Sequence, residues 1–287
     1  MSRIAGIALG IYEKALPSAG DWDERLAAAR LAGFDFVEMS LDPTPERLAR
    51  LEWTPARRRE VRHMLEDAGL PIQTMCLSAT REYPLGTGDR ARRAQALRIL
   101  RGAVDLAADL GIRIIQVGGH DTLPGEPSDR SSQARYVEAI QQMVVWASQR
   151  GVLLGLENQD YGYVNSPTAA ISVIHAVGSP YLGLYLDVGN LIVNRLDALA
   201  EIAHARGHLV GVHVKDARPD TPRRVSFGDG DVPFIEAFTQ LRAMGYTGVM
   251  MIEMWNDDRP DSVEIAAAAR AWVETRLAEA GWAETSD

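Results

Sequence analysis

The side chains of this protein best suited to grip a cation recur at regular intervals in its second half: Glu157 in LEN, Asp187 in LD, His213 in VHVKD and Glu253 in IEM. They are separated by 30, 26 and 40 residues, and each closes a short run of branched aliphatic residues. Three carboxylates and one imidazole form a hard to borderline donor set that suits Mn²⁺, Co²⁺, Mg²⁺ or Zn²⁺. The absence of thiolates from the set argues against a closed structural zinc site. We therefore expect one divalent metal ion, with Mn²⁺, Co²⁺, Zn²⁺ and Mg²⁺ all open, in an open and catalytic centre. Without an ion, three carboxylates in one partly buried place would repel each other and resist ionisation, so the cation supplies the missing positive charge. Any one of these residues alone would read as an ordinary pocket acid or a hydrogen-bonded histidine. Their repetition at four successive strand ends carries the reading.

The elements that must bring them together follow from hydrophobic periodicity. Strand patterns occur at 4–11, 34–40, 71–78, 112–118, 152–158, 181–187, 209–216 and 249–254, and a stretch with helical periodicity follows each one. Eight alternating βα units predict a parallel sheet. An open doubly wound sheet would normally carry a Gly-rich phosphate loop after its first strand, and LGIYEKALPSAG has no such pattern. The fold expected is one (β/α)8 TIM barrel spanning residues 1–287 as a single domain, within the size usual for such barrels. The Pro-rich patches LDPTPERL, LPGEPSD and KDARPDTPRR directly follow strands and read as βα loops, which build the active site in this architecture.

Other residues fall at the same rim. Glu38 is placed at the end of the second strand, either as an acceptor for a substrate hydroxyl or in a loop-stabilising role. Of the 30 basic side chains only Lys14 and Lys215 are lysines. Both follow or end strands, where a compact ammonium could meet an anionic substrate group, and Arg81, after the third strand, could join them. His120 in VGGHD is either a substrate contact or a solvated loop residue. Trp255 offers an apolar wall or a packing residue. The stretch FGDGDV is either a turn whose two glycines serve steric needs or a backbone anion cradle. His63, His175 and His204 lie inside helical patterns, and His208 precedes the seventh strand on the opposite face, so these four are read as structural.

A net charge of −9 argues against a nucleic-acid surface spread over the molecule. The single cysteine, Cys76, cannot form an intramolecular disulfide, no secretory signal pattern opens the chain, and no apolar run reaches the roughly 18 residues of a membrane span. A cytoplasmic location is expected.

The pieces LGIYEKALP, GFDFVEMS, MCLSA, GIRIIQV, YLDVGNL, VHVKD, FGDGDV and MIEMW, in this order between residues 9 and 255, resemble the xylose-isomerase-like barrels. Within them the chain is most similar to the L-ribulose-5-phosphate 3-epimerases, also described as L-xylulose-5-phosphate 3-epimerases. The resemblance implies that Glu157, Asp187, His213 and Glu253 bind the metal and that Glu157 and Glu253 also form an acid/base pair. It implies an isomerase that inverts C3 of a 2-ketose through a cis-enediolate, with a ketose or ketose phosphate as its small-molecule partner and a homodimeric state. Two positions depart from the pattern: Thr80 stands where a His is expected and His120 where a Tyr is expected. Asn190 replaces a His typical of relatives acting on unphosphorylated ketoses, which favours a phosphorylated substrate. The alternatives are a ketose–aldose isomerase, a sugar dehydratase, a 3-epimerase of a free ketose and a non-enzymatic sugar-binding protein. A metal-dependent endonuclease on this fold would need more His ligands and a basic face.

Overall fold

The computed structural model describes residue 4, residues 6–256 and residues 259–283. Its eight strands are β1 (Ile7–Tyr12), β2 (Phe36–Ser40), β3 (Ile72–Leu77), β4 (Ile114–Gly118), β5 (Leu153–Glu157), β6 (Leu182–Asp187), β7 (Leu209–Val214) and β8 (Gly248–Ile252). Each pairs in parallel with the next, and β1 pairs with β8 to close the barrel. Around it lie α1 (Trp22–Leu31), the short α2 (Pro45–Leu48), α3 (Pro55–Ala68), α4 (Arg90–Leu110), α5 (Arg130–Arg150), α6 (Pro167–Val177), the short α7 (Val188–Val193), α8 (Ala198–His204), α9 (Phe234–Ala243) and α10 (Ser262–Glu279). The alternation read from the sequence is the alternation of the fold. The two short helices are additions to the βα loops, too brief to leave a periodic pattern.

Most of the core lies between strands and helices, where Leu, Ile, Val and Ala of both layers interdigitate. A second, smaller cluster fills the barrel interior, with Tyr12, Phe36, Cys76, Ile114, Tyr185, Val249 and Met251. Two strand glycines make room there: a Cβ at Gly155 or Gly211 would fall 2.8 Å or 2.5 Å from ring atoms of Tyr185. Glycine in a strand weakens it unless something must approach closely, and here the approaching group is a tyrosine laid across the barrel. No described helix is long and apolar enough to cross a membrane.

Glu13, just past β1, ties the first two βα loops together. Its buried carboxylate accepts from both terminal nitrogens of Arg50 at 2.6 Å and 2.7 Å, from the Ser40 amide at 2.8 Å, and stands 2.9 Å from Arg47. Burial opposes its ionisation, but Arg50 and then Arg47 outweigh that cost and hold the carboxyl below its ordinary value. Removing one partner of a buried ion pair strands the other charge, so Glu13→Gln is expected to destabilise the fold by about 3 kcal/mol at neutral pH in a denaturant titration. A depressed carboxyl contributes stability above its unfolded pKa and loses it as pH falls through the folded value. The difference between the two proteins should therefore shrink below about pH 4.5.

Candidate active site

The four sequence-selected ligands arrive at one point because parallel register aligns their strands. Glu157 ends β5, Asp187 ends β6 opposite His213 of β7, and Glu253 follows β8 with its amide bonded to Val214 O at 3.0 Å. One potential ligand atom from each of the four lies within 4.8 Å of the others. His213 Nδ1 is 2.7 Å from Glu157 Oε1 and 3.7 Å from Glu253 Oε2. Glu157 Oε2 is fixed from its other side by the side-chain amides of Gln116 and Gln159.

The donor chemistry fits a divalent cation. Asp187 Oδ2 and Glu253 Oε2 are buried, and the Lys215 ammonium stands 2.8 Å and 3.3 Å from them. A buried ammonium leaning on two ligand carboxylates marks a place that requires positive charge. The charges show why. Burial pushes Glu157 up to about 7, against the pull of His213. Burial likewise raises Asp187, offset in part by Lys215. For Glu253 burial is outweighed by Lys215 and then His213, and its carboxyl lies below the ordinary range. Neighbouring carboxyls pushed in opposite directions are characteristic of sites that exchange protons.

Above the ligands opens a cavity of about 400 Å³, the size of a small-molecule site. Lys14, Arg81, His120, Asn190, Lys215 and Trp255 all line it. Lys14 meets Asp42 at 2.6 Å on the β1–β2 side. Arg81 donates to Asp160 at 3.0 Å and to Gln159 Oε1 at 2.7 Å on the β3–β5 side. Trp255 packs edge-on against Tyr12, with ring centroids 5.9 Å apart. Asn190 spends its amide within the wall, accepting from Lys215 Nζ at 2.9 Å and donating to Asn158 O at 2.9 Å. His120 is buried, so it is not a solvated loop residue.

Three expectations need correction. Glu38 is the third of five residues in β2, fully buried, and does not line the cavity. Its carboxylate accepts from Thr74 Oγ1 at 2.7 Å and Tyr185 OH at 3.1 Å, and faces His213 Nε2 at 3.0 Å. It therefore supports the imidazole from below and does not reach a substrate hydroxyl, which matches the usual carboxylate partner of a metal-binding histidine. Lys215 does not stand free for an anionic substrate group, because Asp187, Glu253 and Asn190 surround its ammonium. The FGDGDV cradle already holds an anion of the protein itself: the amides of Gly228 and Gly230 both donate to Asp216 Oδ2 at 2.9 Å.

Several neighbours escaped the sequence reading. Gln116 and Gln159 grip Glu157, and Asn158 joins β5 to β6 through Asp187. Arg223 and Arg81 share Asp160, at 2.6 Å and 3.0 Å. The one available signal was Gln116 itself, a lone amide in the otherwise apolar run IIQVG.

Comparison with known proteins places this architecture. The family model described as xylose isomerase-like TIM barrel matches residues 26–276. A protein named L-ribulose-5-phosphate 3-epimerase UlaE, from Escherichia coli O139:H28, is 42% identical over 280 residues, which is 98% of each chain. Among solved structures, an L-ribulose 3-epimerase superposes with a TM-score of 0.78 at 24% identity, over 96% of this chain and 95% of its own. A D-allulose 3-epimerase from Methylomonas sp., in complex with D-allulose, superposes with a TM-score of 0.79 at 22% identity, over 94% and 97%.

Proposed function

We propose that this chain, which belongs to the xylose isomerase-like TIM barrel family, is a carbohydrate epimerase that inverts C3 of a 2-ketose, with L-ribulose 5-phosphate and L-xylulose 5-phosphate as its substrate pair. The observation that carries the reading is the convergence of Glu157 and Glu253 on one candidate cation centre, in a chain 42% identical to a protein of that name. A divalent ion bound by Glu157, Asp187, His213 and Glu253, Mn²⁺ or Co²⁺ by preference, would act as a Lewis acid toward the C2 carbonyl and C3 hydroxyl oxygens.

Epimerisation at C3 requires removal of the proton beside the carbonyl, stabilisation of the resulting cis-enediolate, and delivery of a proton to the opposite face. Glu157 and Glu253 are the two groups for those transfers. Gln116 and Gln159 hold Oε2 of Glu157, which sets the direction of its carboxyl group. Lys215 holds Glu253 ionised, so its fixed charge acts on the site through that carboxylate, the kind of preorganised electrostatics that needs no reorganisation at the moment of reaction. Glu38 orients His213. Trp255 and Tyr12 give the cavity an apolar wall.

The Lys14 ammonium, a quarter exposed at the rim, is the group we assign to the phosphate. Lys14→Ala should raise KM for L-ribulose 5-phosphate about tenfold, ~1.4 kcal/mol, and leave KM for L-ribulose nearly unchanged. Equal effects on both sugars would remove Lys14 from that role. Product identification decides the reaction class. The metal-loaded protein should convert L-ribulose 5-phosphate into L-xylulose 5-phosphate, whereas an aldose phosphate or a dehydrated product would replace the epimerase reading. We further expect a cytoplasmic homodimer, for which the mass in solution is the check.

A further inference from the structure

Gly118 ends β4 and leaves a notch in the cavity wall on the β3–β5 side. A Cβ at this position would lie 3.0 Å from Thr80 Oγ1 and 3.2 Å from His120 Nδ1. The missing side chain thus keeps two polar atoms facing one small space. His120 is 1% exposed, lines the cavity, and neither of its ring nitrogens has a hydrogen-bond partner. A buried polar group left without a partner costs about 1–3 kcal/mol, so a side chain carrying two such atoms is prepared for something that enters. The ring packs at a tilt of 54° against Tyr161, with centroids 4.4 Å apart, and Tyr161 carries the Arg81 guanidinium on its own face.

The hydrogen-bonding capacities of the notch define the ligand. Burial and then Arg81 push His120 down to about 3, which leaves a neutral imidazole with one N–H donor and one acceptor. Thr80 Oγ1 donates to Leu77 O at 3.1 Å and keeps its lone pairs for accepting. Gln159 alongside is already engaged at both ends, its nitrogen with Glu157 and its oxygen with Arg81. An alcohol fits this pair, donating to Thr80 and accepting from His120. A phosphate dianion, which only accepts, does not.

We propose that Thr80 and His120 form a hydroxyl-binding notch that selects for an alcohol on a carbon adjoining the C2–C3 pair of the substrate. This rests on the ketose 3-epimerase reading above, in which O2 and O3 would be engaged at the cation centre and the hydroxyls on C1 and C4 would be left to be recognised. His120→Phe keeps a ring packed against Tyr161 and removes both nitrogens. It should lower kcat/KM for L-ribulose 5-phosphate about 10- to 100-fold. With 1-deoxy- and 4-deoxy-L-ribulose 5-phosphate, the penalty should vanish for the analogue that lacks the recognised hydroxyl and persist for the other. His120→Gln, with a donor and an acceptor, should regain part of the loss. Gly118→Ala, whose methyl group fills the notch, should reproduce the same selectivity if His120→Phe does not fold. A penalty that is equal on all three sugars overturns the notch. A wild-type protein that exchanges no C3 hydrogen refutes the epimerase reading instead; the notch is then judged by titrating the Mn²⁺-loaded wild type and His120→Phe with the same sugars, where equal affinities overturn it.

Discussion

Glu253→Gln is expected to lower kcat for L-ribulose 5-phosphate by at least about 10²–10⁴-fold, the range contributed by a positioned general acid or base. A glutamine can still occupy the space beside Lys215 and His213, but it cannot carry the transferred proton. Glu157→Gln should behave alike for the same reason. It would in addition present an amide to the two amides of Gln116 and Gln159 that now bind its carboxylate. Metal content measured on each variant separates loss of the proton carrier from loss of the ion. A variant that keeps its turnover is removed from the acid/base pair, whatever its metal content.

Withdrawal of the divalent ion should have an effect of similar size and be reversible. Dialysis against a chelator is expected to abolish turnover, and Mn²⁺ or Co²⁺ to restore it. The same ion should stabilise the fold, because a ligand that binds only the native state at a hundred times its Kd adds about 2.7 kcal/mol. For a chain of this size that corresponds to roughly 4–5 °C in Tm. Asp187→Asn should remove most of that thermal shift, since it takes a charged ligand from the cluster while leaving the Asn190 amide within reach of the side-chain oxygen. A chelated protein that remains fully active would show that the cluster is held together by Lys215 and His213 alone.

The barrel and its four candidate ligands were legible because both are repeated patterns. A βα unit recurs eight times, and a metal-competent residue closes four consecutive strands. Depth along a strand is not repeated in this way. Glu38 was read as a rim residue because it lies near the end of an apolar run. The strand continues to Ser40, the β2–β3 register shifts between Val37 and Glu38, and the carboxylate is left under His213. Lys215 was misread for a related reason. Its position at the end of β7 is visible in VHVKD, but alternation along the strand turns it toward the same side as His213, into the carboxylates. The FGDGDV loop does form an anion cradle, and only the fold reveals that Asp216 occupies it. Gln116 and Gln159 belong to no motif, because a neutral amide gains its importance only from the carboxylate it meets in space. His120 stood out in the sequence, yet whether its ring faced solvent or the cavity depended on Tyr161 in another loop.

The central claim is that two carboxylates beside a divalent ion pass a hydrogen across C3 of a ketose. Its most direct measurement is NMR of L-ribulose 5-phosphate incubated with the Mn²⁺-loaded protein in D2O. Deuterium at C3 of both the remaining substrate and newly formed L-xylulose 5-phosphate is the predicted result. A sugar phosphate recovered with its C3 hydrogen intact, under conditions where the ion is shown to be bound, would contradict it.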